Sequence, residues 1–280
     1  MDFGFEGDSL NINSGDSWYW YDRGKLMDEE ERYEEALACY DRSLEIQPDD
    51  YWAWYHRANA LYALERYEET IASLDEALKI RQEDYWAWYY RGCVALEDLD
   101  WYEEAIASLE RALLVREDDY WAWYRQGDAY RQMGKYRAAI ASYDRALALR
   151  EDDYWAWYRR GDACRHLGNY PEAIASYDRA LAIKPENFWA WYKRGDVCRY
   201  WEDYEGAIAS YQQALRIEPD DEYAWYNQAC CAAKVGKIDL AINCLRRAMD
   251  FNPSNWELAQ TDPDLDSIGG DEKFQKITTG

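Results

Sequence analysis

The stretch DDYWAWYRRGD at residues 152–162 crowds Tyr and Trp side chains together in a very acidic chain, and it does not stand alone. DDYWAWYHRAN begins at Asp49, EDYWAWYYRGC at Glu83, DDYWAWYRQGD at Asp118 and ENFWAWYKRGD at Glu186. SWYWYDRGK at Ser17 and DEYAWYNQAC at Asp221 are looser copies. A feature repeated seven times is architecture before it is a site. Trp52, Trp86, Trp121, Trp155 and Trp189 are separated by 34, 35, 34 and 34 residues. A period of that size marks a solenoid of small helical or strand units.

Numbering from the residue before that Trp divides the chain into repeats at 17–50, 51–84, 85–119, 120–153, 154–187, 188–221 and 222–255. Residues 1–16, rich in Gly, Ser, Asp and Asn, are expected to be a flexible tail in which Phe3 and Phe5 are free to dock. Each repeat reads as two helices. Asp50, Asp84, Asp119, Asp153, Asn187, Asp221 and Asn255 close the repeats and are suited to cap the next helix, A, by accepting from its free N–H groups. Turns such as QMGK, HLGN and KVGK end helix A. Helix B follows as YEEALACYDRSLEI or YPEAIASYDRALAI, apolar at i, i+3, i+4 and i+7. Pro48, Pro185, Pro219 and Pro253 then stop it.

These residues resemble the tetratricopeptide repeat. In the fifth repeat the matching set is Trp157 at place 4, Gly161 at 8, Gly168 at 15, Tyr170 at 17, Ala173 at 20, Tyr177 at 24, Ala180 at 27 and Pro185 at 32. The resemblance covers 17–255 and implies an all-α fold: a right-handed α-solenoid of seven helix-turn-helix repeats, with the A helices lining a concave groove. WELAQTDPDLDSIGGDEKFQKI, within 256–280, looks like the closing segment of bacterial members. Trp256, Leu258, Leu265, Ile268, Phe274 and Ile277 are its candidate inner side, since a terminal repeat needs a cap with a polar outer face.

At 100° per residue, place 4 of helix A faces helix B, so Trp54, Trp88, Trp123, Trp157, Trp191 and Trp225 are expected in the core. Places 2 and 5 face the other way and form ladders of Trp and Tyr. Such rings either fill the gap between neighbouring A helices or also line a peptide groove, where Tyr and Trp serve as anchors. Places 6, 9 and 12 read Arg125/Asp128/Arg131, Arg159/Asp162/Arg165 and Lys193/Asp196/Arg199, a stripe with two cations to each acid. The first repeat carries Asp22, Lys25, Asp28 and Glu29 there, so the groove is expected to run from acidic to basic. Pairing of each Asp with an Arg of the next repeat is the competing reading. A bidentate Arg suits a carboxylate on a bound peptide. The candidate peptide-binding residues are therefore Trp121, Tyr124, Arg125, Arg131, Trp155, Tyr158, Arg159, Arg165, Trp189, Tyr192, Lys193 and Arg199. A second basic column at place 7, Arg23, Arg57, Arg91, Arg160 and Arg194, faces Asp41, Asp75, Glu110 and Asp178 of helix B and suggests ion pairs with buried stems.

The formal net charge of -24 argues against nucleic acid and anionic membranes as partners. No apolar run approaches the roughly 18 residues of a membrane span, and the first residues lack a signal peptide's basic and apolar regions. Seven cysteines without metal-type spacing read as reduced, buried thiols of a cytoplasmic protein, with the adjacent Cys230 and Cys231 the pair to check for redox reactivity. Two histidines three repeats apart, His56 and His166, give no catalytic or metal constellation. Glu34/Glu35 and Glu103/Glu104 suit the starts of B helices. The expectation is a non-enzymatic interaction scaffold or adaptor without cofactor or metal. Its partner would be a protein or peptide with acidic and apolar or aromatic residues. The rivals are an assembly factor or subunit of a multiprotein complex using its outer surface, or an accessory regulator of a separate enzyme. The tetratricopeptide clamp for chaperone tails needs Lys at place 5 and Asn at place 9. Here place 5 is Tyr throughout and Asn59 alone is an Asn at place 9, so that mode is not expected.

Overall fold

The computed structural model describes residues 15–278, with side chains to Lys276. The expected tail, with Phe3 and Phe5, falls almost wholly outside those residues. Among the described residues every regular element is helical and there is no strand. The described residues form two compact bodies, divided between Gly134 and Lys135. The N-terminal body holds α1 (Ser17–Glu29), α2 (Tyr33–Ile46), α3 (Tyr51–Ala63), α4 (Tyr67–Ile80), α5 (Tyr85–Glu97), α6 (Tyr102–Val115) and α7 (Tyr120–Gln132). The C-terminal body holds α8 (Tyr136–Leu149), α9 (Tyr154–His166), α10 (Tyr170–Ile183), α11 (Phe188–Tyr200), α12 (Tyr204–Ile217), α13 (Glu222–Lys234) and α14 (Ile238–Phe251). It closes with α15 (Asn255–Ala259), a 3-10 helix (Pro263–Ile268) and α16 (Glu272–Thr278). Within each body the helices up to α15 pack on the next in order, while the 3-10 helix packs on α13 and α16 packs on α15 and α14.

The A helices start where the Asp/Asn caps predict. Oδ1 of Asp84, Asp119, Asp153 and Asn187 accepts from the N–H three residues on, at 2.8–2.9 Å. Asp50 accepts twice, from Trp52 and Ala53, and Asp221 accepts from Ala224. Asn255 departs from the pattern. It lies inside α15, buried, and donates from Nδ2 to the Ala248 carbonyl at 3.1 Å, so it ties the closing segment to the end of α14. The helix A to helix B turn needs one left-handed residue. Gly134, Gly168 and Gly236 fill it at φ 69–73°, but Glu31, Glu65, Asp100 and Glu202 hold φ of 55–62°, where a side chain is strained.

Helices A and B approach closely because one side is nearly bare. Against the repeat before, Ala53, Ala87 and Ala190 at place 3 are fully buried. A Cβ on Gly161 would meet the Tyr177 ring at 3.1 Å, and one on Gly195 the Tyr211 ring at 2.8 Å. Where helix B offers Leu74 in place of Tyr, place 8 holds Ala58.

Two expectations about helix A side chains need correction. The place-4 Trp is half-buried instead of core, and it serves the preceding loop. The indole N–H of Trp54, Trp88, Trp123, Trp157, Trp191 and Trp225 donates at 2.8 Å to the carbonyl six residues earlier. Trp54 packs on the cluster of Leu37, Tyr40 and Leu44 from the helix B before it. The place-7 arginines likewise pair backwards. Arg57, Arg91, Arg160 and Arg194 donate from Nε to Asp41, Asp75, Asp144 and Asp178 of the preceding helix B, at 2.6–2.7 Å. Their Nη1 donates to Ser73, Ser108, Ser176 and Ser210 of their own helix B. In a stack, each A helix sits between two B helices, so one guanidinium spans both. Glu110 accepts instead from the Tyr130 hydroxyl at 3.2 Å, because place 7 of the next repeat is Gln126.

In the closing segment Leu265, Ile268 and Phe274 are buried, whereas Trp256 and Leu258 are exposed, contrary to expectation. The side chain of Ile277 lies outside the described residues. Glu65→Gly and Glu202→Gly should each stabilise by about 0.5–1 kcal/mol, because glycine relieves the left-handed strain at some entropic cost in the unfolded chain. Gly195→Ala should destabilise by about 1–2 kcal/mol through overpacking against Tyr211. Urea unfolding of the three variants measures both signs.

Candidate peptide-binding face

In both bodies the A helices present the same face. The place-2 residue is exposed in every repeat: Trp18, Trp52, Trp86, Trp121, Trp155, Trp189 and Tyr223 are 43–63% exposed. The place-5 Tyr stands edge-on to it, as in Trp52–Tyr55, Trp121–Tyr124, Trp155–Tyr158 and Trp189–Tyr192, with centroids 5.8–6.1 Å apart. Tyr55, Tyr89, Tyr124, Tyr158 and Tyr192 are half-buried, between the core and the exposed place-2 rings.

In the N-terminal body the start of the face is acidic at its surface. Asp22 and Glu29 are exposed beside Lys25, while Asp28 accepts from the Tyr40 hydroxyl at 2.5 Å. Burial raises the Asp28 carboxyl above its ordinary range, and that hydrogen bond opposes the shift. His56 lies against the Tyr21 and Tyr40 rings, and burial together with the nearby Lys25 lowers its pKa, so it is neutral at pH 7. Arg125 donates from Nε to the Tyr89 hydroxyl at 3.0 Å and ion-pairs with Glu97. Arg131 Nε lies 3.4 Å from Asp128. Much of the cationic character of α7 is thus already answered within its own body, by Glu97 and Asp128.

The C-terminal body arranges its charges differently. Asp162 and Asp196 turn toward helix B and accept from the Tyr177 and Tyr211 hydroxyls at 2.9 and 2.7 Å. Burial raises the Asp196 carboxyl, opposed by Tyr211, Lys193, Arg199 and Arg165. Arg165 approaches Asp162 at 3.5 Å, and its Nη2 donates to His166 Nε2 at 2.9 Å. Lys193 lies over the Tyr192 ring at 5.9 Å and has no ion-pair partner among the described residues. Burial pushes the Tyr158 hydroxyl up to about 12.

The closing segment reaches this face, which the sequence period did not disclose. Tyr192 accepts from Asn227 Nδ2 of the next A helix at 3.0 Å. At the end of the stack Tyr226 donates instead to Asp262 at 2.8 Å. Asp264 pairs with Lys234 at 3.0 Å and Arg199 at 3.8 Å. Asp262 and Asp264 thus meet α13 and α11 as the next A helix would. The cap lies outside the 34-residue period, so only the acids of TDPDLDS hinted at it. Cys230 Sγ and these carboxylates lie within 4.8 Å of one another. Burial raises the Cys230 thiol, however, and Tyr226, Lys234 and Arg199 already engage both acids. The arrangement is a capping contact.

Tetratricopeptide repeat profiles match residues 29–64, 87–119, 124–188, 195–229 and 222–255, and a protein prenyltransferase alpha subunit repeat profile matches 67–97. The chain belongs to the tetratricopeptide repeat family, whose members mediate protein–protein interactions. It has no match among curated proteins. Among solved structures it is similar to YrrB, described as a tetratricopeptide repeat protein with an unusual peptide-binding site. The identity is 25% and the TM-score 0.58, over 64% of this chain and 91% of that one. The C-terminal part of a tetratricopeptide repeat protein from Cytophaga hutchinsonii is 14% identical with a TM-score of 0.68, over 89% and 99%. MamA from Desulfovibrio magneticus is 22% identical with a TM-score of 0.53, over 61% and 94%. No helix among the described residues is long and apolar enough to cross a membrane.

Ile268→Ala should cost about 2–4 kcal/mol as a buried truncation, whereas Asp264→Ala should cost under about 1 kcal/mol, its ion pairs being part-exposed. Chemical denaturation separates the two. Cys230 and Cys231 are buried, and burial raises both thiols, Cys231 to about 12. Alkylation of the folded protein at pH 8 should therefore label neither until the chain unfolds, as peptide mass mapping would read.

Proposed function

We propose that this protein is a non-enzymatic adaptor that holds an extended segment of a partner polypeptide on the A-helix face of its C-terminal body. The observation that carries the reading is a cationic column, Arg159, Arg165, Lys193 and Arg199, beside the half-exposed rings of Trp155 and Trp189. This lies in a chain of net charge -24, where a local surplus of cations is out of keeping with the whole. The preferred segment carries carboxylates for the column and an aromatic or apolar residue for the ladder. Trp121, Tyr124, Arg125 and Arg131 offer the corresponding set in the N-terminal body, with Arg125 tied to Glu97. The description of YrrB as a peptide binder supports the mode of use. No cofactor or metal enters the proposal. The seven cysteines are free, which supports a reducing, cytoplasmic setting.

The test is a peptide array in which acidic residues and aromatic anchors are varied independently, read by fluorescence polarisation. Binders should be acidic with an aromatic or long aliphatic anchor, and affinity should fall with added salt as the ion pairs are screened. Lys193→Gln should weaken binding several-fold with little change in melting, because that ammonium makes no ion pair among the described residues and only a longer-range attraction to Asp196 is lost. Tyr158→Ala should weaken it without altering the salt dependence. Binding unchanged in Lys193→Gln and in an Arg165→Gln variant that still melts normally would move the interaction to the outer surface, where Leu114 and Trp201 are exposed.

A further inference from the structure

Each repeat from the second to the fifth ends helix B with a cation: Arg81, Arg116, Arg150 and Lys184. Arg81, Arg116 and Lys184 return over the aromatic pair that opened their repeat. Arg81 lies over Tyr51 at 4.2 Å and Trp52 at 5.1 Å. Arg116 lies over Tyr85 at 4.1 Å and Trp86 at 5.4 Å. Lys184 lies over Tyr154 at 4.9 Å and Trp155 at 6.0 Å. The rings thus act as a platform that is filled from within by a positive charge, as expected for the negative face of an aromatic ring.

The sixth repeat reverses the sign. Its position is Glu218, with φ -123° and ψ 90°. That backbone matches Arg81 at -124° and 86°, and Lys184 at -129° and 84°, so the Cβ leaves in the same direction. The Glu218 side chain is exposed and has no hydrogen bond or ion pair among the described residues. Trp189 is 56% exposed, edge-on to Phe188 and Tyr192. Exposed Glu186 stands just before the helix. The first and seventh repeats are neutral at this place. Gln47 accepts from Ser17 Oγ, and Asn252 is turned to Glu222.

We infer that Trp189 with Glu218 is a cation-accepting site, taking from a partner polypeptide the arginine or lysine that other repeats supply themselves. The ring offers its face and the carboxylate a counter-charge, while the chain's overall negative charge draws a cation toward it. The inference deepens the peptide-binding proposal without needing the cationic column. Lys193 is four residues along α11 from Trp189, about 6 Å of helix rise. A segment serving both would carry a basic residue close in sequence to its acidic ones.

The probe is acetyl-Gly-Arg-Gly-amide, titrated into 15N-labelled full-length protein at low salt. The indole N–H of Trp189 is identified by its loss in Trp189→Phe. It should shift progressively and more than those of Trp52, Trp86 and Trp155, while acetyl-Gly-Glu-Gly-amide leaves it unmoved. Glu218→Arg fills the platform internally and should weaken the response at least about fivefold, in line with an exposed cation–π contact and one ion pair. The arginine peptide carries no carboxylate side chain for the column, so its response at Trp189 should persist even where acidic peptides fail to bind, which separates this site from the column. No shift at Trp189, equal shifts at all four indoles, or a full response in Glu218→Arg would overturn the inference.

Discussion

The close contact between helix A and helix B, allowed by a missing or minimal side chain at place 8, is the constraint on which the stack depends. With Tyr177 and Tyr211 pressed onto Gly161 and Gly195, the hydroxyls reach across to Asp162 and Asp196. One aromatic therefore packs the pair and fixes the acid beside it on helix A of the same repeat. A bulkier residue at place 8 would displace the ring, and with it the carboxylate that shapes the local field. Dispersion and burial hold the pair together, and the hydrogen bond sets its register.

Between repeats the same economy holds. Arg57, Arg91, Arg160 and Arg194 each bridge the preceding helix B and their own, and from the second repeat on the place-4 indole closes the loop between them. These polar contacts lie at partly buried seams, where their worth is geometric as much as energetic. The closing segment then ends the last face with contacts of the kind a further A helix would make. Asp262 answers Tyr226, and Asp264 answers Arg199 and Lys234.

The A-helix face follows from what this scaffold leaves over. The Trp ladder remains about half exposed because the Tyr beneath it already fills the space between helices. In the cationic column Arg165 meets Asp162 and Arg199 meets Asp264, while Lys193 makes no ion pair among the described residues. The family relationship supplies the general role in protein–protein interaction, and local chemistry supplies the preference proposed for this chain.

Much of this was legible in the sequence. The 34-residue period, the Asp and Asn caps and the apolar spacing of helix B fixed element type and boundary, since caps and periodicity act within a few residues of chain. The alternation of Trp and Tyr on one side of helix A gave the exposed ladder for the same reason. What the sequence left open were partners brought together by stacking. It placed the Trp54 series in the core and set the Arg57 series against its own repeat, whereas both reach back to the repeat before. It gave no sign that Asp264 would meet Arg199, or that Glu97 would meet Arg125. Those pairings depend on which helix lies next in space, and only the tertiary packing decided them.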